Sequence, residues 1–361
     1  MTLPALFTPI TLRGLTITNR VWLAPMCQYS CSAEDGLPTD WHLVHLGSRA
    51  TGGFGLIMTE ASAVTADGRI SPQDAGMWSN RHTTAWSRIV DFVHDQGSAI
   101  GMQLAHAGRK ASTYAPFAQA DGSIAPADGG WVTSAPSAIA FDGYDTPEAL
   151  SHNGIENLVQ AFAAAARRAD EAGFDVIELH AAHGYLIHQF LSPLSNHRDD
   201  VYGGDFTGRI RFLIEVVEAV RGVWPSDKPL FVRLSATDWT EGGWTPQDSA
   251  ELAKILETRG VDLIDTSSGG NVAAQIPVGP DYQVPFARTI REQSGLPTAA
   301  VGLITEPGQA EKILTSEAAD AVLLARAALR EPAWPLRAAH ELGLDKDQAP
   351  YPPQYVRGAW R

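Results

Sequence analysis

Eight short, nearly continuous apolar runs constrain this chain more than anything else in it. They fall at Val21–Pro25, Gly55–Thr59, Ala99–Gln103, Phe174–Leu179, Leu230–Leu234, Leu263–Thr266, Thr298–Val301 and Ala321–Leu324. Strands that are apolar on both faces belong to parallel sheets covered by helices. Helical spacing appears between several of them. Thr83 to Gln96 is one such stretch. Ile155, Leu158, Val159, Phe162 and Ala166 lie on one face of a second, and Ile210, Leu213, Ile214 and Val217 on one face of a third. Thr245-Pro246-Gln247-Asp248 is a helix start, with Thr as N-cap, Pro at the first helical position and an acid in the first turn. Eight strand–helix units predict an α/β fold, a closed (β/α)8 TIM barrel. An open doubly wound sheet would place a glycine-rich turn after its first strand. Here Met26-Cys27-Gln28-Tyr29 follows instead.

Two segments stand outside this rhythm. Residues 1–20 read as a small N-terminal β lid, with Leu6, Phe7, Ile10, Leu12, Leu15 and Ile17 around Arg13-Gly14. Residues 112–150, after the third strand, are rich in Pro and Gly and lack periodicity. A long irregular insertion in a compact domain is a functional lid or a disordered segment; it is placed over the barrel mouth. All 361 residues are then expected to form one domain.

Composition excludes several classes. A net charge of −14 makes nucleic acid and anionic membrane poor partners. Two cysteines, Cys27 and Cys31, suit a reducing compartment better than a disulfide scaffold. The N-terminus has no basic and apolar leader and no run is long enough to span a bilayer, so a cytoplasmic protein is expected.

In such barrels chemistry collects at the C-terminal ends of the strands. Cys27 and Tyr29 follow the first strand. Gln103 and His106 end and follow the third, Arg233 ends the fifth, and Gly302 and Arg326 follow the seventh and eighth. The last two exits often bind phosphate, where a glycine lets a ligand approach the backbone and an arginine offers a fork of donors. The plainer reading is a tight turn and a surface arginine. Gln103 and Arg233 are polar side chains on apolar strands and need partners. Either a bound heterocycle or a neighbouring Asp or Glu would satisfy them.

The densest chemistry follows the fourth strand, in His180-Ala181-Ala182-His183-Gly184-Tyr185. Two imidazoles can hold a carbonyl oxygen and the phenol can supply a proton. A zinc protease would need His-Glu-x-x-His, which is absent, so no metal is expected. Structural histidines and a packing tyrosine are the alternative.

These residues sit in longer stretches: Ala-Pro-Met-Cys-Gln-Tyr at 24–29, Gln-Leu-Ala-His-Ala-Gly-Arg-Lys at 103–110, and Gly-Phe-Asp-Val-Ile-Glu-Leu-His-Ala-Ala-His-Gly-Tyr-Leu at 173–186. Leu-Phe-Thr-Pro-Ile near the start and Leu-Ser-Pro-Leu-Ser-Asn-His-Arg at 191–198 accompany them. Over nearly its whole length the chain resembles the old yellow enzyme family of flavin-dependent ene-reductases. Within it, the chain is most similar to the subgroup of bacterial xenobiotic reductases and their thermophilic relatives.

The resemblance implies FMN as cofactor and NADPH or NADH as reductant. Ala24, Pro25, Met26, Cys27 and Ala61 would line the isoalloxazine. Gln103 and Arg233 would contact its pyrimidine end, and Gly302 and Arg326 its phosphate. His180 and His183 would hold the carbonyl or nitro oxygen of an activated alkene, with Tyr29 helping to bind it. Tyr185 would deliver the proton, and Cys27 would adjust the flavin potential and touch the substrate. A C-terminal tail, 345–361, would carry Arg357 into a neighbouring subunit's site, which implies a homo-oligomer, dimer or tetramer. The chain departs from the family pattern at Ala325-Arg326, where Gly-Arg is common, and in a tail one residue longer before Trp360.

Overall fold

The computed structural model describes residues 3–360. Its eight central strands are β1 (Val21–Leu23), β2 (Leu56–Ala63), β3 (Ala99–Ala105), β4 (Val176–Ala181), β5 (Leu230–Ser235), β6 (Leu263–Ser267), β7 (Thr298–Ala300) and β8 (Ala321–Leu324). They form a closed barrel in sequence order, β8 pairing with β1, and every pair is parallel. The expected TIM barrel is the fold.

Among the described residues there are ten α-helices, in order α1 (Asp40–Thr51), α2 (Asn80–Asp95), α3 (His152–Glu171), α4 (Leu186–Leu191), α5 (Phe206–Arg221), α6 (Pro246–Glu257), α7 (Val284–Ser294), α8 (Pro307–Thr315), α9 (Arg326–Arg330) and α10 (Trp334–Glu341). None of the described helices is long and apolar enough to cross a membrane. Local chemistry sets their ends. Ser151 caps α3 by accepting from Gly154 N–H, and α3 buries Ile155, Leu158, Val159, Phe162 and Ala166, the face read from spacing. Thr245 and Asp248 form a reciprocal capping box at α6 with Pro246 in its first turn.

The N-terminal hairpin, Ile10–Leu12 against Leu15–Ile17, presses Leu12 and Ile17 into a buried cluster with Trp22, Met58, Val176, Phe231 and Leu323. Trp22 and Phe231 stack there at 6.0 Å. This plug seals the N-terminal end of the barrel, so only the C-terminal end can open to ligands.

Seven of the eight strands start or stop at other residues than the sequence reading gave, and in two of them the difference bears on the site. β4 begins at Val176 and not at Phe174, because Gly173 and Phe174 still bond back to Asp170 and Ala169 of α3. The strand runs on to Ala181, pairing His180 with Arg233, so His180 lies inside it and not beyond it. β2 continues to Ala63, with an irregularity in its pairing between Met58 and Ala61 that brings Glu60 into the site.

The 112–150 insertion is held by short ties. Ser134–Ala135 pairs with Glu148–Ala149, Ser112 Oγ donates to Ile124 O at 2.9 Å, and Arg109 donates to Ile139 O at 3.2 Å.

Candidate active site at the barrel mouth

His180, His183 and Tyr185 converge. Ring centroids lie 5.1 Å apart for the two histidines and 4.9 Å for His180 and Tyr185. His180 Nδ1 accepts from Ala182 N–H at 3.2 Å, so the ring proton sits on Nε2. That Nε2 faces His183 Nδ1 at 3.4 Å, and His183 Nε2 meets Ser267 Oγ at 2.7 Å. Burial, and then the positive charge of Arg233, holds both imidazoles well below their ordinary range, so both are neutral at pH 7. Burial drives the Tyr185 phenol well above its ordinary range, so it keeps its proton.

The backbone is bent to achieve this. His183 sits at φ 59°, and Gly184 and Gly270 at 72° and 92°. A Cβ on Gly184 would lie 2.2 Å from Gly270 O, and one on Gly270 would lie 2.7 Å from His183 Cα. Only paired glycines let the loops after β4 and β6 touch. Lys110 Nζ joins the same loops by donating to His183 O at 2.9 Å and Gly270 O at 3.0 Å. Its ammonium lies 4.6 Å from the Phe141 ring centre and 5.1 Å from that of Tyr185, and burial lowers its pKa to about 8.

Gln103 and Arg233 each have a carboxylate partner on the adjacent strand. Gln103 Nε2 donates to Glu178 Oε1 at 2.7 Å, and Arg233 Nε lies 3.0 Å from Asp265 Oδ2. The pairing with an acid left open by the sequence is thus present. Burial and the charge of Asp265 push the Glu178 carboxyl upward. Among the described residues the terminal amino groups of Arg233 hydrogen-bond to no protein acceptor, and Arg233 lines a polar cavity of about 220 Å3.

That cavity lies at the exits of β7 and β8. Ser267, Tyr282, Gln283, Gly302, Arg326 and Arg330 also line it. Gly302 has φ 111°, and a Cβ there would lie 2.5 Å from Gln283 Nε2. A cradle closed to any side chain, with three arginines around it, fits an anionic group joined to a polar ring system. FMN has both parts.

Ala24, at the end of β1, donates its N–H to Leu324 O at 3.0 Å. Cys27 is a free thiol whose pKa burial raises well above normal. Tyr29, at φ 52°, meets Phe117 of the insertion edge-on at 6.0 Å. Cys27, Glu60 and Asp74 offer ligand atoms within 4.8 Å of one another. Glu60 is held by His42 Nε2 at 2.9 Å and by Gln28 N–H at 3.0 Å. His106 is buried, accepts from Gly108 N–H at 3.0 Å, and points to no reaction.

Sequence reasoning missed Glu60, Asp74, Lys110, Ser267, Glu178 and Asp265. Lys110, Ser267 and Glu178 stand inside or beside the quoted stretches and strand ends, so position was an available signal. Arg357 lies elsewhere. It belongs to a short exposed 3-10 segment, Pro353–Gly358, and the preceding chain lies against Thr18, Phe54 and Gln96, before the barrel strands.

The fold and site together define an α/β barrel whose C-terminal end carries two histidines and a tyrosine beside an arginine-lined cavity. The model of the NADH:flavin oxidoreductase / NADH oxidase family matches residues 5–345. An NADPH dehydrogenase of Geobacillus sp. (strain WCH70) is 51% identical over 99% of this chain and 98% of its own. One from Bacillus subtilis (strain 168) is 49% identical over 98% of each. The solved structure of morphinone reductase in complex with tetrahydroNAD superposes with a TM-score of 0.78 at 29% identity, covering 95% of this chain and 92% of that one. The chain belongs to this NADH:flavin oxidoreductase family, the old yellow enzymes. It is an FMN-dependent enzyme that draws electrons from NAD(P)H and acts on small molecules.

Proposed function

We propose that the enzyme reduces activated C=C bonds of α,β-unsaturated carbonyl or nitro compounds. The observation that carries this reading is the meeting of two neutral imidazoles and one protonated phenol at the only end of the barrel left open by the hairpin plug. FMN held at this mouth, once reduced by NADPH or NADH, would supply the hydride. The chain's own residues do the rest. His180 and His183 hold the carbonyl or nitro oxygen and stabilise the negative charge that grows on it. Tyr185 gives its proton to the α-carbon.

Gly302 and Arg326 hold the cofactor phosphate. Arg233 and Gln103 face its ring, oriented by Asp265 and Glu178. Ala24, Pro25, Met26, Cys27 and Ala61 form the apolar bed, and Cys27 and Tyr29 touch the substrate. The contact of Phe117 with Tyr29 supports a capping role for residues 112–150. The exposed tail supports a homo-oligomer in which Arg357 reaches a neighbour. The whole chain serves as one FMN-binding domain, and its free cysteines suit a cytoplasmic enzyme.

The test is anaerobic. Purified protein is expected to be yellow, to bleach with NADPH, and to regain colour with cyclohexenone or a maleimide. Protein that bleaches but never passes electrons to either alkene would refute the reading.

A further inference from the structure

A charged level lies inside the barrel, and strand alternation places it. Val176, Phe231 and Leu263 belong to the apolar plug beneath the mouth. Two residues further along each strand, on the same face, stand Glu178, Arg233 and Asp265. Glu178 pairs with Phe231 across β4 and β5, and Arg233 with Asp265 across β5 and β6. The stagger of a barrel brings residues of alternate strands to one level. Glu178 and Asp265 therefore meet across β5, and their carboxyls are hydrogen-bonded to each other. Both are buried, at 1% and 0% exposure. Glu178 Oε1 accepts from Gln103 Nε2 at 2.7 Å. Arg233 Nε lies 3.0 Å from Asp265 Oδ2, while Asp265 Oδ1 is buried and receives no N–H or hydroxyl donor among the described residues. Two carboxylates cannot bond to each other, but the O–H of a protonated carboxyl can donate to a carboxylate. The missing donor to Asp265 is that O–H, carried on the Glu178 oxygen that Gln103 leaves free.

We propose that Glu178 and Asp265 share a single proton at neutral pH and, acting through Arg233 as positioning residues, set the reduction potential of the bound FMN. This rests on the proposed placement of Arg233 against the flavin ring. With the proton in place, one carboxylate balances one guanidinium and the level has no net charge. Loss of the proton adds a negative charge beside Arg233. That charge opposes the one that reduction brings to the cofactor, so the potential falls. Two electrons and one hydrogen arrive from NADPH as hydride. Where the pair has lost its proton, it takes one more from water as the cofactor is reduced, because the added negative charge tightens its hold.

Few other charges face the pair among the described residues. Arg233 stands against it from β5, and β3 brings the neutral Gln103. His180, two residues further along β4, and His183 stand toward the mouth, and both are uncharged at pH 7. Beneath lie Trp22 of β1, Met58 of β2, Ala299 of β7 and Leu323 of β8, none of which titrates. Burial first, then the charge of Asp265, holds the Glu178 carboxyl above its ordinary range. Burial raises Asp265 too, and Arg233 works against both shifts. The pair therefore keeps one proton at neutral pH and gives it up as pH rises.

The test is the midpoint potential of the holoenzyme, measured against a reference dye from about pH 6 to about pH 10. In wild type the fall of potential with pH should steepen on the alkaline side by one proton per two electrons. That is a tenfold change in the equilibrium per pH unit, or about 30 mV for a two-electron couple. Glu178→Gln keeps an acceptor for Gln103 and a donor for Asp265 but cannot titrate. It should match wild type at neutral pH and lose the break. Asp265→Asn should lose the break as well, because Glu178 then becomes the sole counter-ion of Arg233 and stays ionised. This second variant decides the question where Glu178→Gln does not fold. Infrared difference spectra between wild-type and variant holoenzyme give an independent readout. Wild type at neutral pH should show the carbonyl stretch of a buried neutral carboxyl that both variants lack. A wild-type slope without a break, a break that survives both substitutions, or spectra in which neither removes an acid band would overturn the proposal. Arg233→Lys should shift the neutral-pH potential. An unchanged potential in that variant, with the acid band present, would instead refute the placement of Arg233 against the flavin ring.

Discussion

Replacing His180 by alanine separates oxygen binding from every other step. The Ala182 N–H bond to Nδ1 fixes the His180 proton on Nε2, so the residue presents one N–H donor. A hydrogen bond to a charged acceptor contributes about 1.5–3 kcal/mol, which predicts roughly 10- to 150-fold weaker binding of a phenolate-like ligand. On the chemical step, loss of one donor to a developing oxyanion costs about 10²–10³ in rate. His180 is not among the residues lining the arginine-lined cavity, so bleaching by NADPH should change little. The assay is two stopped-flow half-reactions and a titration with para-hydroxybenzaldehyde, followed by the charge-transfer band. Both imidazoles lie well below their ordinary pKa, so neither should titrate between about pH 6 and about pH 8, and any pH dependence of wild-type binding there should follow the ligand's own hydroxyl or Lys110. A variant that binds the phenol with full affinity, or that loses both half-reactions equally, would refute the donor role.

Tyr185→Phe should lower the alkene half-reaction by about 10²–10⁴ and leave flavin reduction intact; equal slowing of both would contradict its role. Arg326→Ala should weaken FMN binding by roughly 10- to 150-fold, read by fluorescence recovery on dilution, if the guanidinium grips the phosphate. Gly184→Ala sets a Cβ against Gly270 O at a positive φ; it should cost about 1–3 kcal/mol of stability and weaken phenol binding, both measurable on one preparation. Truncation after Tyr351 should lower substrate affinity and disturb assembly; unchanged size and KM would end the intersubunit role of Arg357.

The barrel was readable because its strands are apolar on both faces, as a helix-covered parallel sheet requires, and because there are eight of them without a glycine-rich turn after the first. α1 was invisible for the opposite reason. It buries His42, His45, Gly47 and Arg49 beside Leu46 and Ala50 and leaves Trp41 and Val44 exposed, so its apolar stripe is narrow and broken by polar residues. α7 turns inward only Val284, Ala287 and Ile290. The reactive trio was legible because His180, His183 and Tyr185 lie within six positions and reach the site from one strand end. Asp74 and Glu60 were not. Their meaning comes from a pairing irregularity in β2 and from loop burial, neither of which leaves a periodic trace. Gln103 and Arg233 announced that they needed partners, but only the register of β3 with β4 and of β5 with β6 names Glu178 and Asp265.

The fused glycine contact between the β4 and β6 loops divides the binding chamber into unequal halves. Where Gly184 meets Gly270, and Lys110 ties both together, the acceptor end has almost no freedom to reshape. The opposite wall, carried by Phe117 on a segment with little regular pairing, is the part evolution or an engineer can rewrite. New substrates for this scaffold should therefore come from exchanging the cap while the chemistry beneath it stays as it is.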